Sequence, residues 1–175
     1  MSKRVALVTG GIGGLGTEIC KYLARSGRAV VAADLASRAE RVAEFGKEVA
    51  EFGDQIRFEP INVGDFDGCV QAIKALEEKH GAIDILVNAA GITRDTTLRK
   101  MNAQQWNDVI DINLGGVFNT CRAVVEGMSE RGFGRIVNIS SVNGQTGQFG
   151  QTNYSAAKAG MHGFTMALAR EVARK

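Results

Sequence analysis

A tyrosine and a lysine late in the sequence have types and spacing that would let them act together in proton transfer. Tyr154 and Lys158 are four residues apart and therefore share one face of any helix that carries them. A tyrosine hydroxyl can donate a proton, and a nearby ammonium favours the phenolate that remains. Ser141, another polar side chain, lies thirteen residues before Tyr154. The tyrosine–lysine pattern alone would equally suit an exposed polar pair.

A run of glycines near the N-terminus has the pattern of a loop that binds a pyrophosphate. The run 9–16 follows a short apolar segment and precedes a helical pattern. Glycines suit this place because the turn is tight and the backbone must approach the phosphates closely, next to the free N–H groups of a helix start. Gly11, Gly13 and Gly16 satisfy the pattern G-x-G-x-x-G, and Gly10, Gly14 and Gly16 form an alternative register with a different spacing. Asp34 supplies the acid expected at the end of the second strand.

Short apolar runs alternate with helical patterns along the chain. This alternation predicts an α/β fold, a doubly wound Rossmann-type parallel sheet with helices on both faces. The apolar runs predict five strands, at 5–8, 29–34, 56–61, 83–87 and 135–139. Patterns of period 3.6 predict helices near 14–26, 42–52, 70–80, 106–110 and 114–130, and from about 154 to the end. Ser141 then follows the carboxyl end of the fifth strand, where ligands bind in such sheets.

The composition is that of an ordinary globular protein, and we predict one domain over residues 1–175. Apolar residues make up 45% and charged residues 23%, and the net charge of +2 is spread along the chain. We therefore expect neither a nucleic acid nor a membrane as partner. Residues 1–4 do not lead into a signal peptide, and Cys20, Cys69 and Cys121 lack metal-ligand spacing. We expect buried thiols, no metal site and a cytoplasmic protein.

Together, these residues resemble the short-chain dehydrogenase/reductase family. The resemblance rests on motifs in the family's order and spacing: the glycine run, Asn88-Ala89-Ala90-Gly91, Asn113, Ser141, Tyr154 and Lys158. One departure is Ala89, where the family usually has a second asparagine. The resemblance implies nicotinamide-dependent carbonyl reduction with Tyr154 as proton donor, assisted by Lys158, which would also bind the nicotinamide ribose. Ser141 would orient the carbonyl, and Asn113 would hold a water that connects Lys158 to solvent. Asn113, beside two glycines, could instead break or cap a helix.

The same resemblance implies a cofactor site, whereas the choice between NADH and NADPH rests on the residues at the end of the second strand. The implied cofactor residues are Gly10, Gly11, Ile12, Gly13, Gly14, Leu15, Gly16, Asp34, Asn62, Val63, Asn88, Ala89, Ala90, Gly91, Tyr154 and Lys158. A carboxylate at Asp34 would accept hydrogen bonds from the ribose of NADH and repel the 2′-phosphate of NADPH. Arg38, four residues on, could counter this by pairing with that phosphate. We predict that NADH is preferred and that NADPH is usable.

Two segments resemble one group within the family, the acetoacetyl-CoA reductases of polyhydroxybutyrate synthesis. These are residues 148–155 and 162–169. The resemblance implies reduction of acetoacetyl-CoA to (R)-3-hydroxybutyryl-CoA, at a substrate site lined by Asp95, Ser141, Gln148, Phe149, Gly150 and Gln151. Residues 91–101 and 140–145 also resemble the 3-oxoacyl reductases that act on acyl carrier protein, and this is the alternative substrate. The basic residues Arg94, Arg99 and Lys100 could bind either the phosphates of CoA or an acidic acyl carrier protein, so they do not distinguish the two substrates. A further alternative is that the chain is not an enzyme but a nucleotide-binding domain without catalytic turnover.

The family resemblance also bears on assembly and on the end of the chain. Family members are usually homotetramers, and the helices at 114–130 and 161–172 are those we expect to pair. Members continue with another strand and a helical lid, so the fold is expected to be truncated after the fifth strand and its helix. A fragment, a second chain that supplies the rest, or an impaired product would each account for this. The fifth strand would then be an exposed apolar edge.

Overall fold

A computed structural model describes residues 4–174, in which five parallel strands form one sheet. The strands are β1 (Val5–Thr9), β2 (Ala29–Asp34), β3 (Ile56–Pro60), β4 (Ile83–Asn88) and β5 (Arg135–Asn138). Their order across the sheet is β3-β2-β1-β4-β5, and every neighbouring pair is parallel. The predicted doubly wound parallel sheet is therefore confirmed.

Helices cover both faces of the sheet. They are α1 (Gly14–Arg25), α2 (Ala39–Glu48), α3 (Phe66–His80), α4 (Ala103–Ile110), α5 (Gly116–Glu130), α6 (Asn143–Thr146) and α7 (Thr152–Val172). One buried cluster joins the sheet to α1 and α2 through Cys20 and Phe45. The other joins it to α3, α5 and α7 through Ile73, Val117 and Met161. The strands contribute alternate residues to the two clusters, because successive side chains of a strand point to opposite faces.

Several predicted boundaries were wrong. The helix predicted across 42–52 ends at Glu48, and a 3₁₀ segment (Ala50–Gln55) follows it. The helix predicted to start at 114 has no separate start, because a π-helical turn (Asp111–Gly115) joins α4 to α5. Strand β5 ends at Asn138, opposite the last residue of β4. Helix α7 begins at Thr152, before the predicted start, and ends at Val172, before the predicted end. Lys175 and the segment 1–3 lie outside the described residues.

The buried cysteines agree with the expectation from the sequence. Cys20, Cys69 and Cys121 are free thiols in the two clusters. Burial raises the pKa of Cys20 and of Cys121 to about 12, and that of Cys69 to about 11. The thiolate is the reactive form of cysteine, so these side chains act as small apolar core residues.

The strand order creates a crevice at the carboxyl edge of the sheet. The chain leaves β1 toward β2 and β3 on one side and returns to β4 on the other, so the direction of winding reverses between β1 and β4. Parallel sheets bind ligands outside the strand ends at such a reversal. The glycine run, Asp34, residues 89–91 and Ser141 all follow strand ends on this edge. Within residues 4–174, no helix has both the length and the apolar character to cross a membrane.

Candidate active site

Helix α7 carries Tyr154 and Lys158 on one face. The Lys158 ammonium lies 5.7 Å from the centre of the Tyr154 ring. Its Nζ donates a 2.7 Å hydrogen bond to the carbonyl oxygen of Ile139, just after β5. Only 4% of Lys158 is exposed, and burial lowers its pKa because the charged form loses contact with water. The structure thus brings a desolvated ammonium next to the tyrosine, as the four-residue spacing predicts.

Asn113 lies in the π-helical turn and is fully buried. Its Nδ2 donates to the carbonyl oxygens of Ile92 (2.8 Å) and Val109 (2.9 Å). Its Oδ1 is buried and has no hydrogen-bond partner among residues 4–174. The helix runs through Asn113, so the alternative role of breaking or capping a helix is wrong. A buried acceptor without a partner is uncommon and fits a place where water is held.

Gly91 closes the space between Asn113 and Lys158. A Cβ at Gly91 would lie 2.5 Å from Asn113 Oδ1 and 3.8 Å from Lys158 Nζ. A side chain on this residue would therefore collide with the amide oxygen. The loop after β4 approaches both polar groups because this residue is glycine, and the amide oxygen, the ammonium and the backbone of Gly91 surround one small polar space.

Ser141 follows β5 and lies on the other side of Lys158. Its Oγ accepts a 3.2 Å hydrogen bond from the backbone N–H of Asn143. The neighbouring Ser140 Oγ donates to the carbonyl oxygen of Lys158 at 3.0 Å, which ties the loop after β5 to α7. The four predicted catalytic residues Asn113, Ser141, Tyr154 and Lys158 therefore lie around the same part of the carboxyl edge.

Asn153 is a site residue that the sequence analysis missed. It is fully buried, and its Oδ1 accepts a hydrogen bond from the N–H of Tyr154 at 2.8 Å. Its Nδ2 donates to the carbonyl oxygen of Gln105 at 3.0 Å and to that of Arg94 at 3.3 Å. These bonds hold the first turn of α7 against α4. An asparagine next to the tyrosine was a visible signal, but its partners are distant in the sequence.

The residues predicted to line the substrate site fall into two groups. Asp95 and Gln151 contact each other, since Gln151 Nε2 donates to Asp95 Oδ2 at 2.8 Å. Gly150 joins the same two loops through its carbonyl oxygen, which accepts from Thr96 N at 2.9 Å. Gln148 and Phe149 extend into solvent, and 87% of Phe149 is exposed. The structure therefore brings Asp95 and Gln151 together but leaves Gln148 and Phe149 without such contacts.

A cleft of about 550 Å³ includes Gly91, which lies close to Asn113 and Lys158. The predicted cofactor residues that line it are Gly10, Gly13, Asp34, Asn62, Val63, Ala89, Ala90 and Gly91. Ile12 is buried beneath the glycine run. The side chain of Asn88 is also turned inward, where it accepts from Thr120 Oγ1 and donates to Asn138 Oδ1. Residues at or after the ends of β1, β2, β3 and β4 thus line one cavity.

The glycine run has the shape that a pyrophosphate needs. A Cβ at Gly16 would lie 2.1 Å from the carbonyl oxygen of Gly10, so the fold itself requires glycine there. A Cβ at Gly14 would meet nothing within 4 Å, and Gly14 begins α1 at an exposed position. The first turn of α1 has no acidic residue, and its N-cap, Gly13, makes no side-chain cap. The free N–H groups of this helix start are therefore available to an anion, and the register Gly10, Gly14 and Gly16 matches these roles.

Asp34 and Arg38 form an ion pair at the far end of the cleft. Arg38 Nη1 lies 2.9 Å from Asp34 Oδ2, and Asp34 Oδ1 accepts from the N–H of Leu35 at 2.8 Å. The Asp34 side chain is 10% exposed and that of Arg38 is 44% exposed. The carboxylate is thus held at the strand end by two hydrogen-bond partners, while the arginine that pairs with it is the more exposed partner.

Known proteins match almost the whole chain. Residues 4–175 match the short chain dehydrogenase family. An acetoacetyl-CoA reductase of Allochromatium vinosum is 57% identical over 172 residues, which are 98% of this chain and 70% of that protein. An acetoacetyl-CoA reductase of Cupriavidus necator is 53% identical over 175 residues, 100% of this chain and 71% of that protein. A 3-oxoacyl-[acyl-carrier-protein] reductase of Vibrio harveyi is 41% identical, over 98% of this chain and 68% of that protein.

These similarities confirm the resemblance on which the sequence analysis relied. The family match covers the glycine run, the cleft and the residues around Lys158, and acetoacetyl-CoA reductases are among the similar relatives. The chain therefore belongs to the short-chain dehydrogenase family and is an NAD(P)-dependent oxidoreductase.

Proposed function

We propose that this enzyme reduces acetoacetyl-CoA to (R)-3-hydroxybutyryl-CoA and uses NADH in preference to NADPH. The observation that carries the proposal is the buried Lys158 ammonium beside Tyr154, close to Gly91, which lines the cleft. The choice of substrate is supported by the relatives named acetoacetyl-CoA reductase, which are up to 57% identical to this chain. Such an activity would serve polyhydroxybutyrate synthesis.

Tyr154 is the proton donor in this proposal. When bound, a nicotinamide would supply the hydride for the carbonyl carbon, and the carbonyl oxygen would then need a proton. The Tyr154 hydroxyl donates its proton to that oxygen, and the Lys158 ammonium favours the resulting phenolate. Ser141 Oγ accepts from Asn143 N, so its own O–H remains available to donate to the substrate oxygen.

Asn113 would help to restore the proton that the Tyr154 hydroxyl gives to the substrate. Its Oδ1 is a buried acceptor without a partner within the described part of the chain. A water bound between this oxygen and Lys158 Nζ would connect the ammonium to solvent and restore the proton that Tyr154 gives up. Asn113 Nδ2 is already used by Ile92 and Val109, which fixes the direction of the amide. Asn113 would therefore hold the water through Oδ1 alone.

In this proposal the cofactor binds between the start of α1, Asp34 and Lys158. The exposed start of α1 at Gly14 and Leu15 would bind the pyrophosphate, and Lys158 would hydrogen-bond the nicotinamide ribose. Asp34 Oδ2 would accept a hydrogen bond from an adenosine ribose hydroxyl. The Asp34 carboxylate would repel the 2′-phosphate of NADPH. Arg38 could reduce this repulsion only by leaving Asp34 and pairing with the phosphate. Because the carboxylate is fixed and the arginine exposed, NADH is the cofactor that the site favours.

The second candidate substrate is a 3-oxoacyl group on acyl carrier protein. The relative from Vibrio harveyi with that name supports it, although its identity to this chain, 41%, is lower than the 57% of an acetoacetyl-CoA reductase. The exposed Gln148 and Phe149 would contact the short acyl group in either case. A nucleotide-binding domain without turnover would have no use for a buried, desolvated ammonium at the tyrosine, so this alternative is the weakest.

We further propose that the enzyme is a cytoplasmic homotetramer that pairs through α5 and α7. The outer face of α7 carries exposed small residues, among them Ala159, Gly160 and Gly163. Phe118 of α5 is 48% exposed and stacks on Phe66 at a ring-centre distance of 5.8 Å. Small and apolar exposed residues on neighbouring helices favour close packing of a second subunit.

Replacing Tyr154 by phenylalanine should remove the proton donor without disturbing the cleft. We expect kcat for acetoacetyl-CoA to fall by about 10²- to 10⁴-fold, the usual contribution of general acid catalysis. The dissociation constant for NADH, measured by fluorescence titration, should change by no more than about twofold. The matched control is Tyr22→Phe at the other, 74% exposed tyrosine, which should keep full turnover. Near-normal turnover by Tyr154→Phe would remove Tyr154 from the mechanism.

The cofactor preference should depend on the Asp34–Arg38 pair. We expect kcat/KM to be higher with NADH than with NADPH, and Asp34→Ala to shift this ratio toward NADPH by about tenfold or more. The shift has two sources, because the variant removes a repulsive charge and also frees Arg38 to bind the phosphate. The double variant Asp34→Ala/Arg38→Ala should therefore lose part of the gain. A wild-type preference for NADPH, or no shift in Asp34→Ala, would contradict this role of Asp34.

The choice of carrier can be decided by direct comparison. We expect kcat/KM for acetoacetyl-CoA to exceed that for acetoacetyl groups on acyl carrier protein by about tenfold or more, as differences in transition-state binding of this kind allow. Both substrates present the same 3-oxoacyl group, so the ratio reports the carrier alone. Equal values or a reversed preference, measured with the same enzyme preparation and NADH concentration, would assign the enzyme to the alternative substrate.

A further inference from the structure

A chain of hydrogen bonds leads from Asp95 to Ser141. Asp95 Oδ2 accepts from Gln151 Nε2 at 2.8 Å, and Gln151 Oε1 accepts from Asn143 Nδ2 at 2.8 Å. The backbone N–H of Asn143 then donates to Ser141 Oγ at 3.2 Å. The chain joins three segments that are distant in the sequence: the loop after β4, the turn after β5 and the residue before α7. We name these three side chains, of Asp95, Gln151 and Asn143, the Asp95 relay.

The carboxylate sets the direction of the relay. An ionised carboxylate only accepts hydrogen bonds, so Gln151 must turn its NH₂ group toward Asp95. The amide oxygen of Gln151 then faces Asn143 and can only accept from its NH₂ group. Both polar atoms of Gln151 are thereby used within the protein. The backbone bond from Thr96 N to the Gly150 carbonyl oxygen, 2.9 Å, holds the two loops together beside the relay.

We propose that Asp95, Gln151 and Asn143 are positioning residues that orient Ser141. The relay fixes the turn in which the Asn143 N–H occupies one lone pair of Ser141 Oγ. A serine hydroxyl has one donor hydrogen, and this arrangement leaves that hydrogen for the carbonyl oxygen of the substrate. The inference rests on the proposed function, because it assumes that Ser141 acts on a carbonyl. It also revises the sequence-based interpretation, in which Asp95 and Gln151 touch the substrate themselves.

The loop 148–151 contains two pairs of residues with different surroundings. Gln151 and Gly150 are tied to the loop after β4, whereas Gln148 and Phe149 are exposed. Contact with the acyl group is therefore assigned to Gln148 and Phe149, and the orientation of Ser141 to Gln151. Substitution of the first pair should act mainly on KM. Substitution within the relay should act mainly on kcat.

The variant Gln151→Leu tests the relay, because leucine has a similar size but neither hydrogen bond. We expect kcat for acetoacetyl-CoA to fall by about 10- to 100-fold, as misplacing a catalytic group by about 1 Å does. The dissociation constant for NADH should stay within about twofold of the wild-type value. The control is Gln145→Leu at an exposed glutamine of α6, which should keep wild-type kcat. Loss of NADH binding in Gln151→Leu would instead show general damage to the fold and would overturn the proposal.

A double-mutant cycle separates positioning from direct contact. If Gln151 acts through Ser141, then Gln151→Leu should lower kcat by less than about threefold in a Ser141→Ala background. A full loss in that background would mean that Gln151 contacts the substrate itself, and the proposal would fail.

Two variants of Asp95 test the direction of the relay. Asp95→Asn retains an acceptor at this position, so it should lose less activity than Asp95→Leu. Equal losses in these two variants would contradict a directional relay.

A measurement without turnover keeps the relay testable if the proposed substrate is wrong. A wild-type enzyme that reduces no 3-oxoacyl thioester would refute the proposed function alone. The side-chain NH₂ resonances of Gln151 and Asn143, followed by ¹⁵N NMR, still report on the relay. Both should shift and exchange faster with water in Asp95→Leu, although Asn143 does not touch Asp95. An unchanged Asn143 signal would overturn the relay independently of any activity.

Discussion

The buried ammonium of Lys158 is the constraint on which the rest of the site depends. A buried charge is costly unless hydrogen bonds replace the water it has lost. Nζ meets this need at the carbonyl oxygen of Ile139, so the end of β5 and helix α7 must stay within hydrogen-bonding distance. Ser140 Oγ and the close approach of Gly144, whose Cβ would lie 2.8 Å from the Lys158 carbonyl carbon, hold the same contact. Tyr154, one turn earlier on α7, is positioned as a consequence.

The second constraint is the π-helical turn that carries Asn113. The turn lets α4 continue into α5 while the side chain of Asn113 reaches the loop at Ile92 and Gly91. Its Oδ1 is left without a protein partner within residues 4–174, which lowers stability but leaves an acceptor next to the ammonium. Irregular turns of this kind occur mostly at functional sites, where a side chain must be placed that a regular helix would misplace. The unpaired acceptor therefore lowers the stability of the fold at the place where the proposed chemistry needs a free hydrogen-bond acceptor.

The sequence predicted those features that depend on local pattern. The five strands, the glycine run and the shared face of Tyr154 and Lys158 follow from periodicity and spacing, and the structure contains them. The π-helical turn was missed because Gly115 and Gly116 have low helix propensity, whereas tight packing of Gly116 on Val63 keeps the helix intact. The Asp95 relay and the bonds of Asn153 were missed because their partners are distant in the sequence.

The most direct test of the central claim is the turnover of Lys158→Met, which keeps the volume of the side chain but removes the ammonium. The account predicts that kcat for acetoacetyl-CoA falls by at least about 100-fold and that the dissociation constant for NADH rises, because one group serves both the tyrosine and the ribose. The urea unfolding transition of the variant, measured in parallel, should remain cooperative, which shows that the loss is chemical. A folded Lys158→Met enzyme with turnover within about threefold of wild type would contradict the account.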